Sequence, residues 1–219
     1  IDEIDALVMA WHPGTMGGPA IVRLLRGEAE PVGRLPITWP KVTGQMPIYY
    51  NHPSSGRPAS EGNFTQMDDF PLEAFQHSTG HKNHYIDIGF KPQFPFGFGL
   101  SYSQVKYGDV KVSKNPINAD GELKVSAKIT NTGTRPVTET AQLYIRDLVA
   151  SSVRPVRELK DFQRVTLKPK ESKRVTFSLR GADLAFYNQK LEYVVEPGQF
   201  QVWIAPNAEA GVPGEFSVR

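Results

Sequence analysis

The chain has 219 residues, of which 39% are apolar and 22% charged, with a net charge of +2 and no cysteine. This composition is that of a folded, water-soluble chain with room for one large domain or part of one followed by a smaller one. It excludes disulfides, thiolate metal sites and a low-complexity tract, and the first apolar run, Ala6 to Trp11, is too short to span a bilayer.

Residues 104–219 carry 18 Lys and Arg against 13 Asp and Glu, whereas residues 1–103 carry 7 against 10. The basic residues of the second half alternate with acids along strand-like segments, so a solvated sheet face is expected there rather than a nucleic-acid surface. The chain starts at Ile1 and enters an apolar segment within five residues, as expected of a piece cut from a longer protein.

Ala6 to Ala10 is a continuous apolar stretch of the kind buried on both faces of a parallel sheet. The loop Trp11–Gly18 follows it. A helix is expected next, with Pro19 in its first turn, Ile21, Leu24 and Leu25 on one face, and Gly27 as its stop. Strand, loop and helix together read as one unit of an α/β sheet whose other strands lie elsewhere.

From Glu28 to about Ser103 periodicity fades and Pro, Gly and aromatic residues become frequent, the mark of an irregular region that is functional or packed on a domain. His77, His81 and His84 have spacings that would suit a metal on a helix, but Gly80 and the polar surroundings favour a loop. Gly14, Gly17 and Gly18 do not have the spacing of a dinucleotide cradle. No cofactor or metal is expected.

Beyond Val105 the period becomes two. Leu123, Val125, Ala127 and Ile129 alternate with polar residues, as do Ala141, Leu143 and Ile145, then Val175, Phe177 and Leu179, then Phe200, Val202 and Ile204. Turn chemistry at Asn131–Gly133, Lys168–Glu171 and Glu196–Gly198 completes the pattern of a seven-strand immunoglobulin-like sandwich over residues 104–219.

Several strings, in order, resemble family 3 of the glycoside hydrolases: Trp11 to Ile21, Leu25 to Gly27, Pro31 to Pro40, Gln45 to Tyr50, Gly56 to Pro58, Tyr85 to Asp87, Phe94 to Tyr102, Val125 to Gly133, Arg154 to Phe162 and Leu167 to Ser172. The family's loop often carries Glu where this chain has Met16. The resemblance implies an α/β plus all-β chain. Residues 1–45 would end the family's α/β-sandwich catalytic domain, 46–103 would form a linker, and 104–219 a fibronectin type III-like β-sandwich. It further implies a periplasmic β-glucosidase that removes terminal β-D-glucosyl residues with retention. The nucleophilic Asp would lie in an N-terminal barrel, and the acid/base Glu in the α/β domain before Ala6.

The loop carboxylates Glu61, Asp68, Asp69, Glu73 and Asp87 have no apolar surroundings suited to acid duty. No catalytic group is therefore assigned within the chain, and Asp87 is expected to fix the linker by hydrogen bonds. The substrate-binding candidates are Trp11 and His12, at the end of the first strand where ligands of open sheets bind, and Arg57 on a flexible loop. Trp11 and His12 either contact sugar or pack on the missing domain. The expected partners are the N-terminal barrel, the rest of the α/β domain and a β-glucoside or short β-glucan, with neither nucleic acid nor membrane. The alternative is a carbohydrate- or cell-surface-binding sandwich without catalysis. In it Phe162, Phe186, Tyr187, Tyr193, Phe200 and Trp203 would form a binding face instead of core or docking surface.

Overall fold

The computed structural model describes residues 1, 3–73 and 82–219. Period-two alternation in the second half builds two antiparallel sheets. In the first, β1 (Val105–Tyr107) and β2 (Lys111–Val112) both pair with β3 (Glu122–Asn131), whose other edge takes β6 (Ser172–Arg180). The second has the order β10 (Gly214–Val218), β9 (Gly198–Ala205), β4 (Val137–Asp147), β5 (Glu158–Leu167). A short ribbon of β7 (Phe186–Tyr187) and β8 (Tyr193–Val194) stands beside them. The sandwich thus has eight strands in its two sheets where seven were expected, because one edge position is shared by the short strands β1 and β2.

Apolar side chains of the inner faces meet in one core. Leu123, Val125, Ala127 and Ile129 of β3 and Val175, Phe177 and Leu179 of β6 face Ala141, Leu143 and Ile145 of β4 and Phe200, Val202 and Ile204 of β9. Register follows the pattern: Leu123 lies opposite Leu179 and Val125 opposite Phe177, so every apolar residue of β3 and β6 points the same way. Lys168, Pro169, Lys170 and Glu171 make the predicted turn between β5 and β6. There the Glu171 carboxylate accepts the Lys168 N–H at 2.7 Å, and Lys170 takes φ +63°.

The two sheets differ on their outer faces. β3 alternates between buried and exposed, as a strand with one solvated face must, but β4 is buried almost throughout. What covers β4 is the irregular region. Residues 35–39 and 93–98 run alongside each other, with Leu35 N–H bonded to Phe98 O at 2.8 Å and Trp39 N–H to Phe94 O at 2.8 Å. This paired strap lies over β4. Gln142 donates to Gly97 O at 3.1 Å and to Pro206 O at 2.6 Å, and Tyr144 donates to Gln142 Oε1 at 2.5 Å. Gly97, at φ +79°, leaves the space: a Cβ there would stand 2.1 Å from Gln142 Oε1.

A buried trio clamps the strap's leading end. Arg34 reaches Glu139 at 2.9 Å, Tyr107 donates its hydroxyl to the other carboxylate oxygen at 2.8 Å, and the Arg34 and Glu139 side chains are only 8% and 5% exposed. Burial and the neighbouring carboxylate hold the Tyr107 phenol far above its ordinary pKa, so it stays a donor.

At the start of the chain the helix forms as predicted. α1 (Gly17–Leu25) ends with Gly27 at φ +70°; Gly27 N–H bonds to Leu24 O and Glu28 N–H to Arg23 O, each at 2.9 Å, which is a Schellman stop. The strand expected at Ala6–Ala10 does not form. A strand needs a neighbour to take its backbone groups, and none of the described residues pairs with this segment. Leu7, Val8 and Met9 are left largely exposed.

Candidate functional site

Trp11 closes the unpaired apolar segment in a left-handed conformation, φ +50°, which a bulky residue adopts only under constraint. Its ring is half exposed and meets Trp39 edge-to-face at 6.1 Å between centroids. Trp39 in turn is tied to Phe94 in the strap, so the aromatic surface offered by Trp11 is fixed to the sandwich through the strap. His12 follows on the same loop and is exposed.

Arg57 stands apart from this pair. Its loop is held by a bridge between Pro58 and Asn83 and by the Asn83 N–H bonded to Arg57 O at 3.0 Å. Arg57 is exposed, and none of the described residues makes an ion pair or hydrogen bond with its guanidinium. The structure therefore joins Trp11 to the strap but brings no contact between Arg57 and either Trp11 or His12.

The loop acids are solvated. Glu61 pairs with Lys91 at 2.6 Å on the surface, and Asp69 accepts the Gln66 N–H at 2.8 Å as a cap of a short turn. Asp68, Glu73 and Asp87 are exposed. The hydrogen-bonding role expected of Asp87 is filled by its neighbours instead: Tyr85 and Gly89 exchange backbone bonds at 3.0 and 2.8 Å, and the Tyr85 hydroxyl donates to Gln45 O at 3.3 Å. His77 and His81 lie outside the described residues. His84 turns its two ring nitrogens to Lys82 O at 3.0 Å and Thr65 O at 2.8 Å. Among the described residues no group of three or more His, Asp or Glu side chains is placed to hold a metal ion, and no helix is long and apolar enough to cross a membrane.

Of the sandwich aromatics, Phe186, Phe200 and Trp203 are buried and Phe162, Tyr187 and Tyr193 are exposed, the last two in contact at 5.1 Å. Trp203 belongs to a second apolar cluster beneath the strap, with Tyr144, Ala205 and Ala208. The stack of Tyr50 on Phe96 at 4.2 Å closes this cluster from outside. Over the Trp203 ring lies the Arg157 guanidinium, 4.0 Å from the centroid, donating to Ala208 O at 2.5 Å and Ala210 O at 3.1 Å. Burial lowers its pKa to about 10, so it remains a cation near neutrality. Sequence reasoning named Trp203 as core or docking surface but missed Arg157 above it and the Arg34–Glu139–Tyr107 trio, whose members are brought together from distant segments and show no local pattern.

Comparison with known proteins matches this two-part architecture. Residues 1–102 match the glycosyl hydrolase family 3 C-terminal domain, and residues 139–208 a fibronectin type III-like domain. The chain is 37% identical over 216 residues to a periplasmic beta-glucosidase of Salmonella typhimurium, which covers 99% of this chain and 26% of that protein. It is 34% identical to a beta-xylosidase of Formosa agariphila, over 95% of this chain and 26% of that one. The beta-glucosidase of Listeria innocua, solved in complex with glucose, superposes with a TM-score of 0.85 at 37% identity, covering 99% of this chain and 28% of the Listeria chain. The chain thus spans about a quarter of the length of the relatives it matches. It belongs to the family 3 glycosyl hydrolases and carries their C-terminal domain together with the fibronectin type III-like domain that follows.

Proposed function

We propose that this chain is the C-terminal scaffold of a retaining β-glucosidase acting in the periplasm on terminal β-D-glucosyl residues, with both catalytic carboxylates supplied by the part of the protein that precedes it. The observation that carries the reading is the superposition of nearly the whole chain on a glucose-bound beta-glucosidase. The exposed apolar residues of the first 25 positions support it. Leu7, Val8 and Met9, followed by Val22 and by Leu25 at 67% exposure, form a surface that a neighbouring α/β domain would cover. Domain boundaries near residues 45 and 103 belong to the same reading.

Retention requires two carboxyl groups about 5 Å apart, one as nucleophile and one as acid then base. The loop acids Glu61, Asp68, Asp69, Glu73 and Asp87 are solvated, and the buried Glu139 is committed to Arg34 and Tyr107. The chain's contribution is to the sugar pocket wall. Trp11 offers a ring face for stacking, His12 a donor or acceptor for hydroxyls, and Arg57 a cation that reaches the leaving-group side. The chain alone is expected to show no turnover on a chromogenic β-glucoside, and mixing it with the purified preceding region is expected to restore hydrolysis. Turnover by the chain alone at the rate of a full-length relative would overturn the assignment. In the complete enzyme, Arg57→Ala is expected to raise KM more than it lowers kcat, because it removes binding remote from the reacting centre.

A further inference from the structure

Where the strap meets the sandwich, a hollow of about 220 Å³ opens between Tyr49, Tyr50 and His52 on one side and Val156, Arg157 and Glu209 on the other. We propose that this hollow binds a neutral sugar, one hexose ring in size. Pockets for drug-sized ligands run from about 300 to 1,000 Å³, so this one suits a single ring.

Its walls are fixed and amphipathic. Tyr50 is held by its stack on Phe96 and by its hydroxyl, which accepts the Leu159 N–H at 3.3 Å. Tyr49, 63% exposed, leaves its ring free for a ligand. Arg157 is anchored by Nη1 alone, so its remaining N–H groups are uncommitted. None of the described residues donates to the Glu209 carboxylate, which stays open to solvent on one side while desolvation by the wall behind it raises its pKa. His52 Nδ1 lies 2.9 Å from Pro53 O; with the proton on that nitrogen, Nε2 is an acceptor. Thr38 also lines the hollow. It is only 9% exposed and its hydroxyl oxygen is sealed from solvent, so it shapes the wall and does not meet a ligand.

This set discriminates among ligand classes. A phosphate or carboxylate would meet Glu209, an organic cation would meet Arg157, and an apolar ligand would leave both ions unpaired. A sugar ring presents an apolar face to tyrosine and neighbouring hydroxyls that both donate and accept, matching a carboxylate beside a guanidinium. The hollow's own residues carry this inference; the preference for glucose among neutral sugars rests on the proposed β-glucosidase function.

The test is a nuclear magnetic resonance titration of the chain with glucose, galactose and xylose, following backbone amides. Saturable shifts centred on Tyr49, His52, Arg157 and Glu209, with a dissociation constant on the order of 1 mM, are expected for glucose. Tyr49→Ala is expected to weaken binding about tenfold. Glu209→Gln should weaken it less, and both variants should melt like the parent because the two side chains are largely exposed. Saturation by galactose or xylose in place of glucose would keep the sugar site and count against the glucosidase reading. The proposal is overturned if none of the three sugars saturates, or if saturation survives unchanged in Tyr49→Ala.

Discussion

The sandwich and the segment before α1's end use the same kinds of side chain to opposite effect. Leu123, Val125, Leu143 and Val202 are fully buried, whereas Leu7, Val8, Val22 and Leu25 are exposed to between 49% and 67%. The difference lies in where the partners are. Alternating strands close on one another within the chain, while a continuous apolar run followed by an amphipathic helix needs sheet neighbours that none of the described residues provides. Between these two regions the strap behaves as part of the sandwich. It has no regular structure of its own, yet it buries the outer face of β4 and satisfies its polar groups.

The sharpest way to break that comparison is to cut the strap loose. Arg34→Ala would leave Glu139 buried without its cation, and removing one partner of a buried pair costs about 3–5 kcal/mol. Urea denaturation of the chain should show this loss, and limited proteolysis should cleave residues 28–50 before the sandwich. If the strap were a loosely docked linker, the variant would lose less than about 1 kcal/mol, the value of an exposed pair. Gly97→Ala is a milder cut at the other arm. Its Cβ would meet Gln142 Oε1 and the Tyr144 hydroxyl, and overpacking with a strained φ costs about 1–3 kcal/mol. The second apolar cluster should loosen with it, seen as a change in Trp203 fluorescence, while the inner core keeps its protection from hydrogen exchange.

These variants also mark what was legible in the sequence. The core strands were readable because Leu123 to Ile129 and Val175 to Leu179 show their burial in their spacing. α1 was readable from Pro19 and Gly27. The strap was not, because Gln142 and Tyr144 occupy alternate positions that spell a solvated face and Glu139 puts a charge in line with core residues Val137 and Ala141; only the arrival of residues 33–40 and 93–99 turns the outer face into a second core and pairs that charge. Ala6 to Ala10 was read as a strand because its composition is that of one, but pairing depends on other segments and not on composition. Trp11 stands after that run as a candidate by position alone, and its left-handed backbone was not foreseeable from sequence.

The uncovered face of the first sheet gives a smaller effect of opposite sign. Lys128 lies directly across from Arg174, and like charges in that position repel. Lys128→Glu is expected to stabilise the chain by about 0.2–1 kcal/mol, measured by the urea midpoint at low salt. The gain should shrink as salt is raised, since both side chains are in water. The same reversal placed on the strap-covered face would destabilise, which is how the two faces of this sandwich differ.

The smallest expected effect concerns Asp147 at the end of β4, where sandwich and following loop meet. Its Oδ1 is buried with no hydrogen-bond partner, and burial raises its pKa above 3.8 despite the opposing pull of Arg154. A carboxyl whose folded pKa is raised is bound more tightly by its proton in the native state than in the unfolded one. Its favourable contribution is therefore complete at pH below the unfolded value and is lost as pH rises through the folded value. Asp147→Asn, which keeps an acceptor and removes the charge, should then be more stable than the parent at pH 7 and equal to it near pH 3. Paired urea curves at the two pH values decide the matter. An asparagine variant weaker at pH 7 would mean that attraction to Arg154 outweighs desolvation, and that this end of β4 is held by an ion pair in the manner of Arg34 and Glu139.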